Sequence, residues 1–284
     1  MDTYLNQVFY KSAEKMEEVP DNSVDLIVTS PPYFNIKDYS KDGYQNEKHS
    51  ESQHNDMGAF DSFDLYLENL LKVWKECQRV LKPNGKLCIN VPLMPMLKKE
   101  VNTHFNRHIY DLQSEIQHTI LRNTELFLMD MYIWERTNWS KKLMFGSYPY
   151  PRNFYAQNVL EFITVYVKDG KSTQAKNKEA KERSKLTQKE WTDTTYQIWR
   201  IPTPNKGDAG FGKHSALMPE EIVRRCVKLF SFDSDVVLDP FTGSGTTLKV
   251  AKEMNRNFVG YELYEKYKEV IDEKLNLAEL KRKK

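Results

Sequence analysis

The stretch Asp235-Val-Val-Leu-Asp239-Pro-Phe-Thr-Gly-Ser-Gly-Thr-Thr247 decides how the rest of the chain is read. It opens as a short apolar run and closes in glycines and threonines ahead of a helical pattern over 246–254. An apolar strand that turns through glycines into a helix is a common way to hold a nucleotide-like ligand. Gly243 and Gly245 let the backbone take conformations closed to other residues and approach a ligand closely. Thr246 or Thr247 is expected to cap the following helix, whose first amides lack partners inside it. The next strand, Asn257-Phe-Val-Gly-Tyr-Glu262, ends in a carboxylate. It lies roughly 20 residues beyond Asp239, the spacing at which an acid meets ribose hydroxyls in dinucleotide folds. The loop matches neither Gly-x-Gly-x-x-Gly nor the Gly-Lys-Ser/Thr of a phosphate loop. An aspartate at the strand end suits a ligand with a positive centre and no phosphates.

A second strand end lies near the amino terminus. Val24-Asp-Leu-Ile-Val28 follows the turn-like Pro20-Asp-Asn-Ser23 and reads as a buried strand, and Thr29-Ser-Pro-Pro-Tyr33 makes a rigid polar-to-aromatic corner after it. Residues 35–57 are polar without apolar period and read as a long loop. Helical spacing of Leu67, Leu70, Leu71, Trp74, Cys77, Val80 and Leu81 predicts a helix over 64–81. It is expected to stop at Lys82-Pro-Asn-Gly85, ahead of the strand Lys86-Leu-Cys-Ile-Asn-Val91. Leu126 to Trp134 and Val159 to Val167 are strand-like and rich in β-branched and aromatic residues. Residues 168–189 turn to Lys, Glu, Ser, Thr and Gln with basic residues in excess, a helical or disordered insert that is either a solvated face or a DNA-facing segment. Helices over 219–230 and from Tyr264 onward complete the pattern.

Composition sets the outer bounds. The 284 residues are 39% hydrophobic, 12% aromatic and 29% charged, enough for a substantial core. A net charge of +2 gives no global argument for a nucleic-acid partner. No run reaches membrane-span length and no basic-then-apolar leader is visible, so a cytoplasmic location and no membrane partner are expected. Cys77, Cys88 and Cys226 have no short pairing and read as buried thiols. There is no Cys-x-x-Cys, and the histidines are scattered, so no metal site is expected.

The two strand-end motifs, in this order, resemble those of the β-class amino-group DNA methyltransferases, which use S-adenosylmethionine. Asp239-Pro-Phe-Thr-Gly-Ser-Gly-Thr-Thr is similar to the family's cofactor motif, and Thr29-Ser-Pro-Pro-Tyr to its catalytic motif. Supporting likenesses run from Pro20-Asp-Asn-Ser-Val-Asp through Arg79-Val-Leu-Lys-Pro-Asn-Gly-Lys-Leu, Ile133-Trp-Glu-Arg-Thr-Asn138 and His214-Ser-Ala-Leu-Met-Pro-Glu-Glu to Phe258-Val-Gly-Tyr-Glu-Leu. Residues 100–125 and 168–200 carry none. The family's Gly-Asp near the cofactor adenine is replaced by Tyr10-Lys11. Either Ser12 or a backbone amide substitutes, or cofactor affinity is weaker than in the family. No cysteine follows a proline, unlike the nucleophile of the cytosine-C5 methyltransferases.

The resemblance implies an α/β fold: one mostly parallel, seven-stranded Rossmann-like sheet with helices on both faces. Residues 1–167 and 214–284 would form the catalytic and cofactor domain and 168–213 a target-recognition insert. It implies Ser30, Pro31, Pro32 and Tyr33 as catalytic residues. Asp239, Pro240, Phe241, Gly243, Ser244, Gly245, Thr246 and Glu262 are the implied cofactor ligands. The partners implied are double-stranded DNA, a second copy of the chain and a restriction endonuclease acting on the same sequence. An amine within a duplex must be flipped out to react. Its lone pair is delocalised into the ring, so acceptors on its N–H bonds, Ser30 Oγ and the Pro31 carbonyl, would free that pair while Tyr33 stacks on the base. Serine before Pro-Pro-Tyr favours cytosine N4 over adenine N6. An RNA or small-molecule methyltransferase would leave that corner unexplained.

Overall fold

A computed structural model describes residues 3–34, 62–97, 107–138, 148–152, 156–212 and 217–282; the loop expected at 35–57 lies outside these. In chain order the elements are β1 (Gln7–Phe9), β2 (Val24–Thr29), α1 (Phe63–Val80), β3 (Leu81–Pro92), β4 (Met94–Leu97), β5 (Arg107–Tyr110) and α2 (Leu112–Asn123). They continue with β6 (Leu126–Arg136), β7 (Leu160–Lys168), α3 (Lys178–Arg183), α4 (Gln188–Thr195), β8 (Ile198–Ile201) and α5 (Glu220–Phe230). The last are β9 (Val236–Asp239), α6 (Thr246–Glu253), β10 (Asn257–Tyr261), a short 3-10 turn (Glu265–Tyr267) and α7 (Lys268–Arg282).

Among the described residues the main sheet has eight strands, not the seven expected, in the order β1-β10-β9-β2-β3-β7-β6-β8. It is mostly parallel; only β7 runs against its neighbours β3 and β6. Both edge strands escape a sequence reading for one reason: they are short and half-exposed. β1 has three residues, none buried, and β8 alternates exposed and buried over four. The central strands β2 and β9 are buried at every position, as apolar runs covered on both faces must be.

One core lies under α1 and α2, around Tyr66, Leu70, Trp74, Leu87 and Ile120. The other lies under α5, α6 and α7, around Val28, Trp199, Ile222, Val237 and Ile271. Helix α1 starts where Ser62 accepts from the Leu65 amide, and it ends at Leu81, whose extended backbone enters β3 directly. The Lys82–Gly85 turn does not separate helix from strand. It bulges out within β3, where the pairing with β2 jumps from Val24↔Leu81 to Leu26↔Lys86. The three cysteines are buried and free. Among the described residues no helix is long and apolar enough to cross a membrane.

The strand directions define two edges of the sheet. Ser30, Asp239, Glu262 and Tyr10 lie at the carboxyl ends of β2, β9, β10 and β1, which are side by side. Asn90, Arg136 and Ile201 end at the same edge, because β3, β6 and β8 share that direction. The start of the basic insert is at the opposite edge. Lys168 Nζ donates to the Gln78 and Leu81 carbonyls at the entry of β3, and Arg183 pairs with Asp233 ahead of β9 at 2.9 Å. The expected solvated segment is thus partly helical, with Ala180 as the buried residue of α3.

Candidate active site

The carboxyl edge carries a cleft of about 900 Å³, counted out to its open mouth. The 30–33 corner, the 239–244 strand end and glycine loop, Thr246, Thr247 and Glu262 line it, joined by Lys11, Ser12, Ala13, Met218, Tyr264 and Tyr267. Of the site residues expected from sequence, Gly245 alone does not face the cleft. It makes the turn possible instead: its φ is +84°, and a Cβ there would sit 3.3 Å from Ile271 Cα on α7. Gly245 is also the N-cap of α6 and supplies no side chain, so neither threonine caps the helix as expected. Thr247 Oγ1 instead donates to the Val28 carbonyl at 3.3 Å, tying α6 to β2.

Asp239 is 3% exposed, and its Oδ1 accepts from Thr29 Oγ1 at 2.7 Å and from the Phe241 amide at 3.0 Å. Burial pushes its pKa up to about 6 against those hydrogen bonds. Glu262, 7% exposed, receives the Gly243 amide on Oε2 at 2.7 Å and the Tyr264 amide on Oε1 at 2.9 Å. Burial lifts it to about 7. Both carboxylates therefore shape the glycine loop before any ligand arrives.

At the other end of the cleft, Ser30 Oγ donates to the Asn90 carbonyl at 2.9 Å and lies 2.9 Å from Tyr33 OH. A serine has one proton, and a carbonyl can only accept, so Tyr33 must be the donor in their contact. With its proton given to Asn90 and one lone pair taken by Tyr33, Ser30 Oγ keeps one lone pair for a further donor. The Pro32 carbonyl accepts from Tyr66 OH at 2.9 Å, fixing the corner on α1. Among the described residues nothing donates to the Pro31 carbonyl.

Lys11, in the place of the family's aspartate, pairs with Glu18 at 2.6 Å, and Tyr261 OH donates to the other oxygen of Glu18 at 2.9 Å. Sequence reading misses Asn90, whose part is played by its backbone and leaves no residue-type signal. It also misses Thr29 as the partner of Asp239, though that residue stands inside the quoted motif.

Fold and cleft define a class: an α/β protein of nucleotide-cofactor type with an acceptor-rich corner at the same sheet edge. A profile of the DNA methylase family, N6 and N4 methyltransferases, matches residues 24–273, and the chain belongs to that family. It is 30% identical over 292 residues to the type II methyltransferase M.MjaI of Methanocaldococcus jannaschii, covering 98% of this chain and 93% of that one. It is 29% identical over 292 residues to the type II methyltransferase M.HinfI of Haemophilus influenzae, covering 97% and 69%. A Thermus thermophilus protein described as a putative DNA modification methylase, solved with S-adenosyl-L-methionine, superposes with a TM-score of 0.74 at 25% identity, covering 96% and 94%. The cytosine-N4-specific PvuII DNA methyltransferase shares the fold, with a TM-score of 0.62 at 16% identity over 95% and 92%. The protein is a DNA methyltransferase of the N6/N4 class.

Proposed function

We propose that the protein transfers a methyl group from S-adenosylmethionine to the exocyclic amine of a flipped base in double-stranded DNA, with cytosine N4 as its target. The observation that carries this reading is the pinned polarity of Ser30. Its proton is committed to Asn90, so Oγ is held as an acceptor for an amine N–H beside the cleft. The Pro31 carbonyl is the second acceptor.

The donor set fits the cofactor. Glu262 is a buried carboxylate for ribose hydroxyls, the glycine loop offers backbone and hydroxyl groups, and Phe241 and Tyr264 add apolar walls. The strand ends run Ser30, Asp239, Glu262, Lys11 along the edge. With the acceptor amine at Ser30 and ribose at Glu262, the adenine belongs beyond Glu262, beside Lys11 and Ser12. When bound, the cofactor supplies an electrophilic methyl on a sulfonium. Ser30 and Pro31 would draw on the amine N–H bonds, localising the lone pair that forms the new N–C bond as the methyl–sulfur bond breaks and the neutral thioether S-adenosylhomocysteine is released. The amine proton leaves after the transfer, with solvent as the final acceptor. Tyr33 offers the face on which the base stacks.

Serine at position 30 supports cytosine by family resemblance; both amines present the same two donors, so adenine N6 is the alternative. The recognition role of 168–213 is proposed for its last part, 202–212, since Ile201 ends at the cleft edge. The type II designation of the relatives supports a modification role beside an endonuclease of the same specificity. A homodimer belongs to the same proposal. Methylating duplex DNA of varied sequence with labelled S-adenosylmethionine and digesting it to nucleosides tests the reading. N4-methylcytosine is expected; label in N6-methyladenine overturns the choice of base.

A further inference from the structure

Lys274 lies in the last helix, α7, where a lysine is ordinarily solvated, yet it is 1% exposed. Its ammonium has three N–H bonds, and each has an acceptor: Ser244 Oγ at 3.0 Å, Thr246 Oγ1 at 2.9 Å and Asp208 Oδ1 at 2.9 Å. Burial pulls its pKa down, and the Asp208 carboxylate opposes that. A buried ammonium is tolerated only with such a set of partners. The two hydroxyls belong to the glycine loop and line the cleft, whereas Asp208 belongs to the segment after β8.

The contact is built for close approach. Asp208 Oδ1 also accepts from the Gly210 amide at 2.8 Å, and the Phe211 amide donates to the Asp208 carbonyl at 2.9 Å. A Cβ on Gly210 would lie 3.0 Å from Ser244 Cβ and 2.8 Å from Leu217 Cδ2, so the segment packs directly on the cofactor loop.

The hydrogen-bond count has a chemical consequence. Ser244 Oγ and Thr246 Oγ1 each accept from Lys274 and lie 3.5 Å apart. At most one of their two protons can be spent between them. At least one O–H is left for an acceptor in the cleft, and the ammonium behind it strengthens its pull on an anion. The strongest acceptor that an S-adenosyl amino acid can offer is its carboxylate.

We infer that Lys274 is a positioning residue which orients Ser244 and Thr246 as donors toward the amino-acid end of the cofactor, and that through Asp208 it makes cofactor affinity depend on the segment after β8. This rests on the cleft being the cofactor site.

The test compares two ligands, S-adenosylhomocysteine and 5′-methylthioadenosine, which lacks the amino-acid carboxylate. Calorimetric affinities are measured for the wild-type protein, Lys274→Met and Asp208→Ala. Both variants are expected to bind S-adenosylhomocysteine about tenfold or more weakly, a change of about 1.4 kcal/mol per decade, and 5′-methylthioadenosine within about twofold of wild type. Equal losses for the two ligands would mark a general scaffold role and overturn the inference, as would no loss. Asp208→Ala alters a loop residue and decides the matter even if Lys274→Met does not fold. A folded wild-type protein that binds neither ligand overturns the cofactor reading itself, a different failure.

Discussion

Thr29 and Asp239, 210 residues apart in the chain, share a buried 2.7 Å hydrogen bond that joins the carboxyl ends of β2 and β9. One residue opens the Ser-Pro-Pro-Tyr corner and the other opens the glycine loop. The two halves of the site are thus locked to each other by a short buried contact, beside the Thr247–Val28 hydrogen bond, and not only by lying in one sheet.

That contact makes a prediction. Thr29→Val removes a donor to a buried carboxylate, a loss of about 2 kcal/mol in unfolding free energy. The loss is expected in full at pH 8, where Asp239 is charged, and to shrink below pH 6, where its raised pKa leaves it protonated. Urea melts at the two pH values check this; an equal loss at both would show that the bond is indifferent to the charge.

Glu262 carries a second pH dependence. Burial raises its folded-state pKa from 4.5 to about 7. Below the unfolded value both states hold a neutral acid, and no penalty exists. As pH rises through the folded value, the folded protein must hold a buried charge, and stability is lost. Without cofactor, Glu262→Gln should therefore gain on the wild type between pH 4.5 and pH 8. The pH-dependent part of the difference is on the order of 3 kcal/mol. Thermal melts across that range measure it, and a difference flat with pH contradicts the burial argument. The same variant should bind S-adenosylmethionine more weakly.

The basic insert gives a third. Lys176, Lys178 and Lys181 are exposed, but they lie in and beside α3, which is anchored through Arg183 and Asp233 at the edge opposite the cleft. Replacing all three with glutamine should leave the KM for duplex DNA, and its dependence on salt, within about twofold of wild type. If these lysines neutralised phosphates, the salt slope would instead flatten by about one for each lysine removed.

How much of this is legible in the sequence depends on where each signal lies. The buried strands β2 and β9 are continuous apolar runs, and the two loops after them carry unusual residue types, so the site's core can be read directly. Edge strands β1 and β8 are too short and too exposed to leave a pattern. The cap on α6 misleads because threonines beside a helix start usually cap it, whereas here Gly245 takes the left-handed position and Thr247 turns inward to Val28. Lys274 is invisible because a lysine in a charged terminal helix reads as solvated. Only its three partners, drawn from two distant segments, reveal that it is buried. The acid-to-lysine change at Lys11 is visible in the sequence, but its Glu18 partner is not.

The most direct test of one shared site is Ser30→Ala, measured for cofactor affinity and for single-turnover methyl transfer to duplex DNA. The account predicts S-adenosylhomocysteine binding within about twofold of wild type and a transfer rate lower by about a hundredfold or more. A variant that binds the cofactor and transfers at the wild-type rate would contradict it.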